Sequence, residues 1–202
     1  MHRALLRAPY VIALAAIALT VGTWATAPSP VRAEDEPSRF VLTVFPQDTE
    51  NVGFSNSWGS RRSGGRGHRG TDIIGPRGTE VFAAADGIVT ALGNHRMSGY
   101  FIRIDHGDGW ATTYMHLNND TYGTDDGEGG VWTAFYPTLM EGDEVAAGQV
   151  IGYVGDSGNA EGTIPHTHFE VNHEGQKKNP YHYLTEVLER EVRLAPATSG
   201  PM

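Results

Sequence analysis

From residue 40 onwards the sequence is divided into short β-rich stretches, each bounded by Gly, Asp, Asn or Pro, and this punctuation constrains the fold more than any other feature. The stretches are 41–44, 80–84, 87–92, 100–106, 110–116, 150–154 and 166–171. His106-Gly107-Asp108-Gly109 falls between two of them and reads as a hairpin turn. Only near the end does the pattern change. Asn179-Pro180, followed by Leu184, Val187 and Leu188, predicts an N-capped helix with Pro at its first position and an apolar stripe at helical spacing. With 26 Gly, 11 Pro and 39% hydrophobic residues, the chain suits a turn-rich β protein better than a helical bundle. The expected fold is mainly β: a single domain of antiparallel sheets with a short C-terminal helix.

A chain of 202 residues has room for one such domain with a real core, so one active site is expected. Residues 1–33 read as an export signal, with Arg3 and Arg7 ahead of an apolar run and small residues at Val31 and Ala33 before a cleavage point. The run is shorter than the roughly 20 residues that span a bilayer, which favours cleavage over a retained membrane anchor. A polar linker at 34–39, a domain at 40–193 and a flexible tail at 194–202 complete the expected layout. Within the domain, 118–139 is polar, rich in Asp and Gly, and leads to Trp132, Phe135 and Tyr136; it reads as a long surface insertion. Loss of residues 1–33 removes three arginines and no acids, taking the formal charge from −9 to −12. An acidic, secreted monomer is expected. Nucleic acid and anionic membrane surfaces are poor partners for it, because both are bound by clustered Lys and Arg. The basic cluster Arg61, Arg62, Arg66 and Arg69 is confined to one loop.

The absence of cysteine removes disulfides, thiolate metal sites and Cys/His peptidase chemistry. Histidine carries the remaining signal. His68 and Asp72 flank Arg69-Gly70-Thr71 in a glycine-rich stretch, where a curled loop entering a strand can bring imidazole and carboxylate together. His166 and His168 stand two apart on a strand and so project from one face into the same space. In the stretch 110–116, period-two alternation places Trp110, Thr112, Tyr114 and His116 on one face, with Met115 on the other.

These residues resemble the lysostaphin and LytM-type zinc metallopeptidases, also called beta-lytic metalloendopeptidases, which have the duplicated hybrid motif fold. The family pattern of His-x-x-x-Asp, then Tyr-x-His at a strand end, then His-x-His is met in order by His68 to Asp72, Tyr114-Met115-His116 and His166-Thr167-His168, over roughly 54–182. The resemblance implies one zinc ion held by His68, Asp72 and His168, with an open position for water. It implies that His116 and His166 act as proton-transfer or oxyanion-stabilising groups, without dividing those roles between them. It also implies bacterial peptidoglycan as the substrate, cut in its cross-bridges or stem peptides. The stretch 118–139 is longer than the corresponding family loop, which leaves the substrate range open, and Tyr114, Trp132 and Tyr136 are candidate substrate-groove residues.

Two other readings compete. Gly155-Asp156-Ser157-Gly158 copies the nucleophile turn of trypsin-like serine proteases, but no histidine stands in a matching context, and a glycine turn after a buried strand accounts for it better. A non-enzymatic relative that binds peptidoglycan or activates another hydrolase would be expected to lack ligands, whereas all five residues are present here. Calcium is not expected at Asp120, Asp125, Asp126 and Glu128, whose spacing suits a solvated acidic loop. His106 reads as a local hydrogen-bonding residue, and His95 and His173 as exposed loop residues.

Overall fold

A computed structural model describes residues 39–194 apart from Asn51; the export segment, most of the linker and the tail beyond Leu194 lie outside the described residues. The strands are β1 (Thr71–Ile74), β2 (Glu80–Phe82), β3 (Gly87–His95), β4 (Gly99–Gly107), β5 (Trp110–Leu117), β6 (Glu144–Val145), β7 (Val150–Tyr153), β8 (His166–His173) and β9 (Gln176–Lys178). The helices are α1 (Val131–Ala134) and α2 (Pro180–Leu194). The main sheet runs β1-β8-β5-β4-β3-β6, with β9 paired to β8, and β2 pairs β7 in a small second sheet. All of these pairings are antiparallel, as the sequence implied. The β4–β5 hairpin turns through Gly107, Asp108 and Gly109, all at positive φ, where the two glycines carry no Cβ penalty.

Ile102, Ile104, Tyr114, Leu117, Ile151, Val154, Phe169 and Val171 form the centre of the core. Leu184 and Val187 of α2 close one side of it, the stripe that the spacing predicted. Asn179 caps this helix by accepting from the Tyr181 backbone N–H at 3.1 Å.

The segment 41–44 corrects one expectation, because it is irregular chain and not a strand. Its backbone is claimed by other partners: Thr43 and Val44 N–H both donate to Ala84 O, and Arg190 of α2 donates to Leu42 O. The segment still contributes Leu42 and Phe45 to the core.

The stretch 118–139 corrects another, since it is only in part a surface insertion. Tyr122 and Trp132 are exposed, but Ala134, Phe135 and Leu139 are buried. Phe135 bridges to Gly152 of β7, and Tyr136 N–H donates to Ile151 O at 2.9 Å. The acids near its start are not all solvated either. Asp120 is fully buried and pairs with Arg77, which also meets Asp156 at 3.0 Å and Asp125 at 3.0 Å. One guanidinium thus ties the beginning of the stretch to the chain after β7. Phe135→Ala is expected to cost about 3–5 kcal/mol, while Trp132→Ser stays within about 0.5 kcal/mol. Urea unfolding of the two variants checks this, and similar costs for both would show that the aromatic run is not divided in this way.

Candidate functional site

The site is built where β1, β8 and β5 lie side by side. Asp72 pairs with His168, and His168 pairs with Met115, so these three side chains share a face. That face is the floor of a cleft of about 980 Å³, whose walls come from the loop before β1, from Met97 and Ser98, and from residues 159–164 before β8. His166 and His168 are two apart on β8 and both line it, as their spacing required.

Strict alternation along β5 would point Tyr114 and His116 together towards the core. Tyr114 obeys: it is fully buried, and its hydroxyl accepts from Ala84 N–H at 2.8 Å. It therefore lies outside the cleft, contrary to its place among the groove candidates. His116 departs from the alternation because its φ of 59° puts the backbone in the left-handed region. This conformation costs a non-glycine residue about 1–2 kcal/mol. Its N–H donates to Ser98 O at 2.9 Å and its ring to Ser157 O at 2.8 Å, and these bonds hold it there. The ring consequently sits in the cleft, 5.2 Å from that of His166 and 5.9 Å from that of His168, centre to centre. Trp132 and Tyr136 are not among the cleft-lining residues.

Three polar atoms converge at the cleft floor. His68 Nε2 is 3.0 Å from both Asp72 Oδ1 and His168 Nδ1, and the last two are 2.8 Å apart. Each imidazole is held from behind: His68 Nδ1 by Ser57 Oγ at 2.9 Å, and His168 Nε2 by Glu170 Oε1 at 3.3 Å. Such partners fix which nitrogen faces the shared point. Glu170 is in turn bound by Lys177, and Arg62 reaches both Asp72 and His68 Nε2. Gly70 is required by the same packing. A Cβ there would lie 2.5 Å from His168 Nε2 and 2.7 Å from Phe169 O.

At the cluster itself the Asp72 carboxylate is held in its charged form. Burial works against the Asp72 carboxylate, but hydrogen bonds from His168 and His68 outweigh it and hold the carboxyl far below the usual range. Burial likewise disfavours a charged His168, yet its bonds to Asp72 and Glu170 push its pKa up. His116 behaves differently. Burial, only partly offset by the bond to Ser157 O, brings it down to about 4, so it is neutral at neutral pH. His166 matches it in one respect, donating Nδ1–H to the Ile164 carbonyl at 2.8 Å, with Nε2 3.9 Å from Asp72 Oδ1.

The other singled-out residues fall outside this chemistry. Ser157 Oγ donates to Leu117 O at 2.5 Å and accepts from Tyr100 N–H at 2.9 Å, so it clamps the strand end that carries His116. His116 meets the Ser157 carbonyl and not the hydroxyl, which removes the geometry of a serine nucleophile. His106 bonds Asp86 O and Thr112 Oγ1, the local role expected of it. His173 is the last residue of β8 and stacks on Trp110 at 4.0 Å, not a loop residue. Sequence reasoning assigned no role to Glu170, Ser57, Arg62 or Gly70. For Glu170 the signal was available, since period two puts it on the face of His166 and His168.

Fold and site define an antiparallel β domain of the lysostaphin and LytM type, with a His-Asp-His cluster that could hold a metal ion beside two further histidines. Residues 66–180 match peptidase family M23, and the chain belongs to that family. Peptidoglycan DD-endopeptidase ShyC of Vibrio cholerae is 33% identical over 115 residues, 57% of this chain and 22% of that protein. Murein hydrolase activator NlpD of Escherichia coli is 34% identical over 119 residues, 58% of this chain and 26% of that protein. The chain therefore spans about a quarter of the length of these curated relatives. Among solved structures, the catalytic domain of the antimicrobial peptidase lysostaphin from Staphylococcus simulans aligns with a TM-score of 0.52 and 27% identity, covering 66% of this chain and 92% of that one.

Gly70→Ala is expected to displace the His168 ring and the β8 backbone at Phe169, and so to weaken divalent-metal binding at least tenfold, with the secondary structure retained. Titration with zinc against a chromophoric chelator, beside circular dichroism, measures both. Undiminished binding would contradict the close-packing argument.

Proposed function

We propose that this chain is a zinc-dependent endopeptidase that hydrolyses peptide bonds in bacterial peptidoglycan, exported from the cytoplasm and acting in the cell wall or envelope. The observation that carries this reading is the convergence of His68 Nε2, Asp72 Oδ1 and His168 Nδ1, with both imidazoles held from behind. The donor set fits the ion. Nitrogen and oxygen ligands about 2.0–2.2 Å from a tetrahedral zinc stand roughly 3.3 Å apart, and the three atoms here are slightly closer, 2.8–3.0 Å. Bound there, zinc would supply Lewis acidity to the scissile carbonyl and make water at the open position acidic.

The chain's own part is proton handling. His116 and His166 each give Nδ1–H to a backbone carbonyl, so in the neutral form each carries its lone pair on Nε2. One accepts the proton of the attacking water, and a proton is delivered to the leaving nitrogen as the C–N bond breaks. The products are a carboxylate and an amine. Because both imidazoles are held in the same manner, hydrogen bonding does not divide the roles between them.

One relative is named a murein hydrolase activator, and a second reading is that this chain activates another hydrolase without cutting peptide bonds itself. The presence of all five groups in one cleft favours turnover. Zinc-loaded protein starting at Glu34, incubated with defined cross-linked muropeptides, separates the two by mass spectrometry of the products. New amine and carboxylate ends that vanish with a chelator support the peptidase; intact peptides at full zinc loading would overturn it.

His116→Ala and His166→Ala are expected to keep zinc and lose about 10²–10⁴-fold in rate, whereas His168→Ala loses both zinc and activity. Equal zinc loss in all three variants would refute the assignment. The raised pKa of His168 adds a prediction with its sign fixed. Without metal this residue is largely protonated at and below its ordinary pKa, so zinc must displace a proton, and affinity should rise with pH through that range. Calorimetry in buffers of different ionisation enthalpy reads the released proton directly; pH-independent binding would contradict it.

A further inference from the structure

The cleft is electrostatically unlike the chain that forms it. The whole sequence carries a formal charge of −9, yet the cleft is lined by Arg61, Arg62, Arg66, Arg69 and Lys177 against only Asp72 and Glu170. Both acids are already engaged, Asp72 by Arg62 and the two imidazoles, Glu170 by Lys177 and His168. Among the described residues no ion pair involves Arg61, Arg66 or Arg69. Arg69 instead lies over the Trp58 ring at 6.0 Å. Three exposed guanidinium groups therefore stand at the rim without a carboxylate of their own.

The segment that presents them is ordered by its own backbone. Arg62 N–H donates to Arg66 O at 2.8 Å, Arg61 bridges to Gly67, His68 N–H donates to Ser60 O at 2.8 Å, and Gly59 N–H donates to His68 O at 2.9 Å. Gly64 and Gly65, both at φ 75°, make the turn. This hairpin runs directly into His68, so its arginines are placed relative to the cluster by a short, bonded connection. Preorganised guanidinium forks match carboxylates bidentately, and a cleft of one sign raises the local concentration of an oppositely charged ligand.

We infer that Arg61, Arg66 and Arg69 form a carboxylate-binding subsite, and that the peptide bound in the cleft is anionic, carrying free carboxyl groups beside the bond to be cut. The inference rests on the peptidase reading for the identity of the occupant. It deepens that reading by favouring stem peptides with free side-chain or terminal carboxylates over uncharged glycine bridges and over stems whose carboxyls are amidated.

The probes are the tetrapeptide L-alanyl-γ-D-glutamyl-meso-diaminopimelyl-D-alanine with its carboxylates free, and the same peptide with the glutamyl and diaminopimelyl carboxyls amidated. Their dissociation constants for zinc-loaded wild-type protein and for Arg61→Gln/Arg66→Gln are measured by calorimetry at low and high salt. Both replaced side chains are exposed, so melting temperatures should match and confirm folded protein. The wild type should bind the free acid about 5- to 20-fold tighter than the amide, and salt should shrink that ratio. In the double variant the ratio should fall to within about twofold of unity. Equal binding of the two peptides by the wild type, or an unchanged ratio in the variant, overturns the subsite. A parallel digest of the corresponding cross-linked peptides keeps the two claims separate. Preferential binding without cleavage would sink the peptidase and leave the subsite standing, and cleavage with no carboxylate preference would do the reverse.

Discussion

The antiparallel register between β1 and β8 is the constraint on which the rest of the cleft depends. It sets Asp72 directly opposite His168, and the onward pairing of β8 with β5 sets His168 opposite Met115. A slip of one residue on either side would turn His168 towards the core and Thr167 towards the cleft. Thr167 is fully buried and hydrogen-bonds Gln47, so the register is enforced from below by a polar contact as well as by Ile73 and Phe169. The cluster is thus a consequence of sheet pairing, with His68 added from the loop that enters β1.

Around that register the chain spends conformational strain and close packing to bring the remaining groups in. His116 occupies a left-handed backbone conformation that its side chain does not favour, and the turn after β7 supplies the carbonyl that rewards it. That turn approaches through glycines: a Cβ on Gly155 would lie 2.4 Å from Asn118 Cα, and one on Gly158 would lie 2.2 Å from Gly99 N. Arg77, joined to Asp120 and Asp156, braces the chain leaving His116 against the same turn. Breaking a buried ion network by removing its single cation costs far more than an exposed pair is worth. This explains why a stretch that looks like a polar insertion is in part load-carrying structure.

Much of this was legible in the residues, and the exceptions have physical causes. Alternation along 166–168 places His166 and His168 on one face without further help, and Asn179-Pro180 marks the start of α2 to the residue. Alternation fails at His116, because a single left-handed residue reverses the side-chain direction and nothing in the local sequence announces it. Tyr114 keeps to the alternation, and its hydroxyl serves a buried backbone N–H and not the groove. Val41 to Val44 have strand-like composition, but their backbone partners are the Ala84 carbonyl, about 40 residues later, and Arg190 of α2, about 150 residues later. Asp120 reads as a solvated acid until Arg77, more than 40 residues earlier, is brought beside it. Glu170 is within reach of the same period-two argument, since it stands on the face of His166 and His168.

The identity of the metal donors is the central claim, and anomalous diffraction at the zinc edge from crystals of the zinc-loaded chain tests it most directly. One ion is expected, bonded by His68 Nε2, Asp72 Oδ1 and His168 Nδ1, with His116 and His166 near it but outside bonding distance. An ion bonded by His116 or His166 in place of any of the three, or seated at the Asp120–Asp125–Asp156 cluster instead, would contradict it.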